Sequence, residues 1–137
     1  EGLWAHLAGT VLLGHLRDTA LLALGEMGLL WWLSDQPATG MGLPHPWDKG
    51  AHFLAYGLLG FLLGVAFGDF RPALLLAALY GVVDEWHQSR VPGREAFGWD
   101  LVADFLGACL GARWGGRWGA PEAFRPWRRR PGGWPRR

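Results

Sequence analysis

The apolar residues of this chain fall into blocks that approach the length of a membrane span. The blocks are Thr19–Leu33, Ala51–Phe67, Pro72–Val83 and Leu101–Trp114. With their flanks they reach roughly 17–20 residues, close to the length that crosses a hydrocarbon core. None of them alternates as a strand of a soluble sheet does, and none shows the charged face of a soluble amphipathic helix. The pattern therefore favours helices that are surrounded by lipid.

We predict an all-α fold, a polytopic membrane helical bundle with about four transmembrane helices near residues 18–34, 50–69, 71–88 and 99–118. Half of the 137 residues are apolar and 18% are charged, compared with about 25% charged residues in ordinary soluble domains. The alternative is a soluble helical bundle with unusually apolar helices. The single cysteine, Cys109, excludes an intrachain disulfide framework and a cysteine-based zinc site.

A shorter apolar segment, Leu3–Leu16, precedes the first predicted span. It is compatible with an interfacial helix or with an extension of that span. A cleavable signal peptide usually begins with a basic region, whereas here Arg17 follows the apolar stretch. The sequence leaves these interpretations open.

Glycines recur at four-residue spacing in two of the predicted spans. The rows are Gly60, Gly64 and Gly68, and Gly107, Gly111 and Gly115. Small residues at this spacing let helix backbones approach closely in lipid. We expect tight packing inside one subunit, with dimerisation through the same faces as the alternative.

The net charge of +1 combines an acidic body with a basic tail. Residues 120–137 hold six arginines and one glutamate, net +5, so residues 1–119 carry −4. With four spans, ten of the thirteen basic residues lie on one side, and the positive-inside rule places that side and both termini in the cytoplasm. We expect residues 1–119 to form the transmembrane domain. Residues 120–137 are expected to be a disordered arginine-rich cytoplasmic tail near anionic lipid rather than a nucleic-acid-binding segment.

This topology brings the polar ends of three helices to the outer face. Residues spaced by three or four positions share a helix face, and carboxylates in or near lipid normally point into the bundle and are paired or functional. Five acids, two histidines and two basic residues meet there. The set comprises Asp48, Lys49, His52, Tyr56, Asp84, Glu85, His87, Gln88, Arg94, Asp100 and Asp104, with Glu95 in the adjoining loop.

Two roles can be assigned within this set. Asp84 and Glu85 lie near a helix C-terminus, where negative charge is unfavourable, so they are candidate catalytic bases, with His52 and His87 as proton partners. The remaining side chains are candidate substrate-binding groups: Lys49, Asp48, Tyr56, Gln88, Arg94, Asp100 and Asp104. For the acids in first turns, helix capping is an equally good explanation. Glu26, inside the first span, has no evident partner.

At these residues the sequence resembles the VanZ-like family of small bacterial membrane proteins. Asp48–Tyr56 is similar to the family's Lys-x-x-His-Phe-x-x-Tyr element. Tyr80–Gln88 and Val91–Arg94 are similar to its Asp-Glu-x-x-Gln and Pro-Gly-Arg elements. Ser34 to Pro37 resembles the Ser-x-x-Pro that usually ends the first span. Asp104 departs from the pattern, because the family usually has Asn there.

The resemblance implies a multi-pass protein of the bacterial inner membrane and a possible link to teicoplanin resistance. Three functions remain open: binding of a lipid head group or cell-envelope precursor, acid–base hydrolysis or transfer on a lipid-linked substrate, and transport with the acids as a proton relay. A divalent metal held by the carboxylates and histidines is a variant of the second. We assign no metal site, and the sequence identifies neither a cofactor nor an oligomeric state.

Overall fold

The computed structural model describes residues 2–36, 47–94 and 98–119, and four α-helices account for most of them. The helices are α1 (Gly2–Ser34), α2 (Trp47–Phe67), α3 (Phe70–Gln88) and α4 (Gly98–Trp118). The described residues contain no strand, so the predicted all-α bundle is confirmed. The ends of α2, α3 and α4 lie within three residues of the predicted spans. Glu95 and the tail from residue 120 lie outside the described residues.

α1 is one continuous helix, so Leu3–Leu16 extends the first span. Its 33 residues correspond to about 50 Å at 1.5 Å per residue, well beyond the roughly 30 Å of a hydrocarbon core. Only its C-terminal half packs on the rest of the bundle, through Ala23, Met27 and Leu30. The N-terminal half exposes Leu3 and Trp4.

Two of the four helices, α1 and α2, are long and apolar enough to cross a membrane by length and composition. α3 and α4 do not reach that threshold among the described residues. Part of the reason is that they carry buried acids, namely Asp84 on α3 and Asp100 and Asp104 on α4. These acids face the bundle interior, where their polarity is hidden from the surroundings.

α2 and α4 form the tightest helix pair, and glycines make it possible. A side chain at Gly107, Gly111 or Gly115 of α4 would collide with the backbone carbonyls of α2, such as that of Gly57 facing Gly111. Gly60 of α2 meets the α4 backbone in the same way. The glycines of the two predicted rows that lie within α2 and α4 thus pack inside one subunit, as small residues do in closely approaching membrane helices.

Gly68 departs from its predicted place in the glycine row. α2 ends at Phe67, and Gly68 adopts φ 63°, a left-handed conformation that costs glycine little. The chain turns there, and Asp69 then caps α3 by accepting a hydrogen bond from the Arg71 backbone N–H.

The alternation of helix directions determines where the site lies. α1 and α3 end, and α2 and α4 begin, at the same end of the bundle, so residues far apart in sequence meet there. Below them the core is built from small and medium residues: Ala23, Leu59, Leu63, Ala73, Ala77, Ala108 and Ala112.

Candidate functional site

A buried carboxylate, Asp84, is the centre of the first part of the site. Its side chain is 2% exposed. Oδ1 accepts a hydrogen bond from the Ser34 hydroxyl of α1, and Oδ2 accepts one from the Tyr56 hydroxyl of α2 at 3.0 Å. Gln88 Nε2, one turn further along α3, donates to Ser34 Oγ at 3.0 Å and lies 3.5 Å from Asp84 Oδ2. Three helices therefore converge on one carboxylate that has donors on both oxygens.

Lys49, at the start of α2, connects that helix to α4. Its ammonium group donates to Asp48 Oδ2 at 3.1 Å and to Asp100 Oδ1. Asp100 is 6% exposed, and a buried carboxylate needs such a partner. Lys49 thus already neutralises acids of the protein itself.

His52 lies one turn below Lys49, between two acids of α4. Its Nδ1 is 2.8 Å from Asp104 Oδ1, and its Nε2 is 3.8 Å from Asp100 Oδ2. Asp104 is 2% exposed. A carboxylate that bonds one ring nitrogen fixes the orientation of the imidazole and leaves the other nitrogen for exchange of a proton or a hydrogen bond.

Asp104, the residue at which the sequence departs from the usual Asn, is therefore the partner of His52. A carboxylate can only accept from the ring, whereas an amide can also donate. Asp104 therefore offers the His52 ring a carboxylate acceptor in place of an amide.

Glu85 follows Asp84 in the sequence, but its carboxylate has no partner among the described residues. Both oxygens are buried, and neither accepts a hydrogen bond from that part of the chain. It lies within electrostatic range of Asp100, Asp104 and His52. Since buried acceptors are nearly always satisfied in folded proteins, a carboxylate with neither oxygen satisfied in the described part of the chain is unusual.

Arg94 lies beside the end of α1. Its Nη1 donates to the backbone carbonyls of Leu33 at 3.2 Å and Ser34 at 3.1 Å. These carbonyls lie at the C-terminus of α1, where backbone acceptors lack partners within the helix and the helix dipole is negative. A positively charged donor such as Arg94 stabilises them. Arg94 therefore holds Ser34, and through it the Asp84 network, in position.

His87 contacts α1 rather than the other site residues. Its ring stacks on Trp31 with centroids 3.9 Å apart, and Nε2 is 3.3 Å from Asp35 Oδ1. The structure separates it from His52, the other candidate proton partner. His87 ties α3 to α1 at the edge of the site.

Ser34 is a site residue that the polar clusters of the sequence do not reveal. Ser34 is 3% exposed and bonds both Asp84 and Gln88. The sequence feature that points to Ser34 is a single hydroxyl at the end of an apolar span, within the Ser-x-x-Pro element. Glu26, by contrast, remains without a partner for Oε2 among the described residues.

Among the described residues no group of three or more histidine, cysteine, aspartate or glutamate side chains is arranged to hold an ion. Lys49 and His52 sit between the acids of α2 and α4 instead.

The fold and the site together define a class of protein. It is a helical membrane protein with two helices able to span a bilayer and a polar cluster where the ends of four helices meet. The sequence profile of the VanZ/LLP1 family matches residues 11–114, and the chain belongs to that family. Neither a comparison with curated proteins nor one with solved structures gave a match.

Proposed function

We propose that this protein binds the polar head group of a membrane lipid or lipid-linked cell-envelope precursor in the cluster around Glu85. The observation that carries the proposal is the Glu85 carboxylate, buried and without a donor in the described part of the chain. Its carboxylate lies within electrostatic range of His52, whose ring Asp104 orients. A head group that supplies hydroxyl or ammonium donors would satisfy Glu85 and offset the excess of acids.

We do not expect Lys49 and Arg94 to be the main contacts of the head group. Lys49 is bonded to Asp48 and Asp100, and Arg94 is bonded to the end of α1. An anionic group would have to compete with these contacts. A donor-rich, zwitterionic or uncharged head group fits the cluster better.

The proposed setting is the bacterial inner membrane, with four spans and both termini in the cytoplasm. The distribution of basic residues supports this orientation. The cluster then faces outward, where envelope precursors are used. The link to teicoplanin resistance is part of the same proposal, and drug susceptibility of cells with and without the protein tests it.

Native mass spectrometry of the detergent-purified protein tests the binding proposal. We expect retained lipid in the wild-type protein and at least tenfold weaker retention in Glu85→Gln, because a charge-assisted hydrogen bond contributes about 1.5–3 kcal/mol. Asp18→Asn is the control, since Asp18 is exposed on α1 and pairs only with its neighbour Arg17 among the described residues. Equal retention by wild type and Glu85→Gln would refute the proposal.

A second candidate function, acid–base hydrolysis or transfer on a lipid-linked substrate, is favoured by the same pair of side chains. An available carboxylate near an oriented histidine is an arrangement that general acid–base catalysis uses. The catalytic version predicts that Glu85→Gln abolishes turnover of a lipid-linked substrate while the protein still inserts and binds. The binding-only version predicts no turnover by the wild-type protein.

A further inference from the structure

An apolar groove runs between α3 and α4 next to the polar cluster. Its volume is about 310 Å³, at the lower end of the range for ligand pockets. α3 contributes Ala78, Gly81 and Val82, and α4 contributes Leu101, Val102 and Phe105. Among the described residues that line it, Asp104 is the one with a polar side chain.

Gly81 connects the groove to the site. A Cβ at this position would lie 3.3 Å from the ring carbon Cε1 of Tyr56 and 3.7 Å from Cβ of Asp104. Because glycine has no side chain, the groove lies directly against Tyr56 and Asp104 of the polar cluster at this position. Tyr56 bonds Asp84, and Asp104 bonds His52.

The open side of the groove is apolar as well. Val82, Val102, Phe105 and Leu106 are each about half exposed, on helices that border a helix able to span a membrane. A water in such a groove would find few hydrogen-bond partners, and apolar cavities stay dry. Hydrocarbon is the ligand chemistry that this wall accommodates.

We propose that the groove between α3 and α4 holds one acyl chain of the lipid whose head group lies in the polar cluster. The proposal rests on the proposed function, because it extends the same ligand from the cluster into the groove. Groove and cluster share Asp104, which lines the groove and bonds His52 in the cluster, so one lipid would reach from the cluster into the groove. The ligand class is accordingly a lipid with a polar head, rather than a soluble molecule.

Two valines that are neighbours on α3 provide a matched pair for the test. Val82 lines the groove, whereas Val83 does not, and the two are similarly exposed, at 51% and 46%. Val82→Trp fills the groove, and Val83→Trp adds the same side chain to an adjacent lipid-facing surface. Leu106→Trp and Leu110→Trp repeat the comparison on α4, because only Leu106 lines the groove.

The experiment uses a phosphatidylethanolamine with a diazirine in one acyl chain, added to the full-length protein in nanodiscs. Photolysis followed by peptide mapping locates the chain. We expect labelling of groove residues at least fivefold above the Val83 and Leu110 surfaces. Val82→Trp and Leu106→Trp should reduce it to that background, and the two control variants should not.

Equal labelling of the groove and of the control surfaces would overturn the groove proposal, since it would show ordinary surrounding lipid. A different outcome is that native mass spectrometry detects a dimer, that Val82→Trp dissociates it, and that the groove is protected from labelling in the dimer. That result would overturn the acyl-chain proposal and show that a second copy of this chain covers the groove. A third outcome is that the groove is labelled as expected but Glu85→Gln retains lipid as well as the wild-type protein does. That result would refute the head-group site alone. The two proposals therefore fail in distinguishable ways.

Discussion

Asp84 and Glu85 are consecutive residues on α3, yet their carboxylates have opposite surroundings. Asp84 accepts hydrogen bonds from Ser34 and Tyr56 and has Gln88 beside it. Glu85 has two buried oxygens and no donor among the described residues. The difference arises because α3 turns about 100° per residue, so one side chain enters the interior between α1 and α2 while the next turns toward α4.

This contrast separates a structural carboxylate from one that is available to a ligand. A carboxylate with donors on both oxygens stabilises the helix ends that supply them. An unsatisfied buried carboxylate lowers stability, and such costs are typical of functional sites. We therefore expect substitutions at the two positions to have opposite consequences for stability and for ligand binding.

The largest effect is expected from Asp84→Ala. Ser34, Tyr56 and Gln88 would lose a common acceptor, and each buried group left unsatisfied costs about 1–3 kcal/mol. We predict a loss of about 3 kcal/mol or more in the free energy of unfolding, measured by denaturant titration in mild detergent. Asp18→Ala, on the exposed part of α1, should stay within about 0.5 kcal/mol of wild type. Equal stability of the two variants would show that Asp84 is not a structural centre.

The next largest effect is expected from Gly111→Ala, which disturbs the contact between α2 and α4. These two helices surround Asp84 and Glu85 of α3 on the α2 and α4 sides. A Cβ there collides with the carbonyl of Gly57 on α2, and overpacking of this kind costs about 1–3 kcal/mol. Gly25→Ala is the control, because nothing lies within 4 Å of a Cβ at that position. Thermal unfolding should show a lower Tm for Gly111→Ala and an unchanged or higher Tm for Gly25→Ala. Because alanine has the higher helix propensity, a Tm loss in both variants would show that the loss does not arise from the α2–α4 contact.

A smaller effect distinguishes two tyrosines that each donate one hydrogen bond. Tyr56 donates to the Asp84 carboxylate, whereas Tyr80 donates to the backbone carbonyl of Met27. We expect Tyr56→Phe to cost about 1–2 kcal/mol and Tyr80→Phe about 0.5–1 kcal/mol, because bonds to charged acceptors are the stronger ones and membrane hydrogen bonds are modest on average. Unfolding of both variants under the same conditions measures the difference, and the reverse order would contradict the central role of Asp84.

Much of the fold could be predicted from the sequence because apolar block length is a direct physical requirement for crossing lipid. The number of helices and their approximate ends follow from that length. The four-residue spacing of the glycines predicts that they face a neighbouring helix. The continuity of α1 could not be predicted, since Arg17 and Asp18 interrupt its apolar pattern and their side chains are simply exposed on the helix surface.

The site was predictable in its location but not in its pairing. Helix alternation alone brings Asp84, His52 and Asp104 to one end of the bundle. The rotation of each helix decides which donors meet which acceptors, and a periodic pattern leaves that rotation open by tens of degrees. For this reason the sequence pattern does not reveal that Ser34 bonds Asp84, nor that Arg94, a candidate substrate-binding group, and His87, a candidate proton partner, both make contacts at the C-terminal end of α1.

The smallest stability effect, and the sharpest test of the contrast, is expected from Glu85→Gln. The substitution removes a buried charge that has no donor among the described residues, and a neutral amide of similar size costs less to bury. We predict a free energy of unfolding that is unchanged within about 0.5 kcal/mol or slightly increased, together with the loss of lipid retention described above. Asp84→Asn should show the opposite combination, with lower stability and no specific change in head-group preference. A protein that loses stability on Glu85→Gln as it does on Asp84→Asn would show that Glu85 has a structural partner. The distinction between the two carboxylates would then disappear.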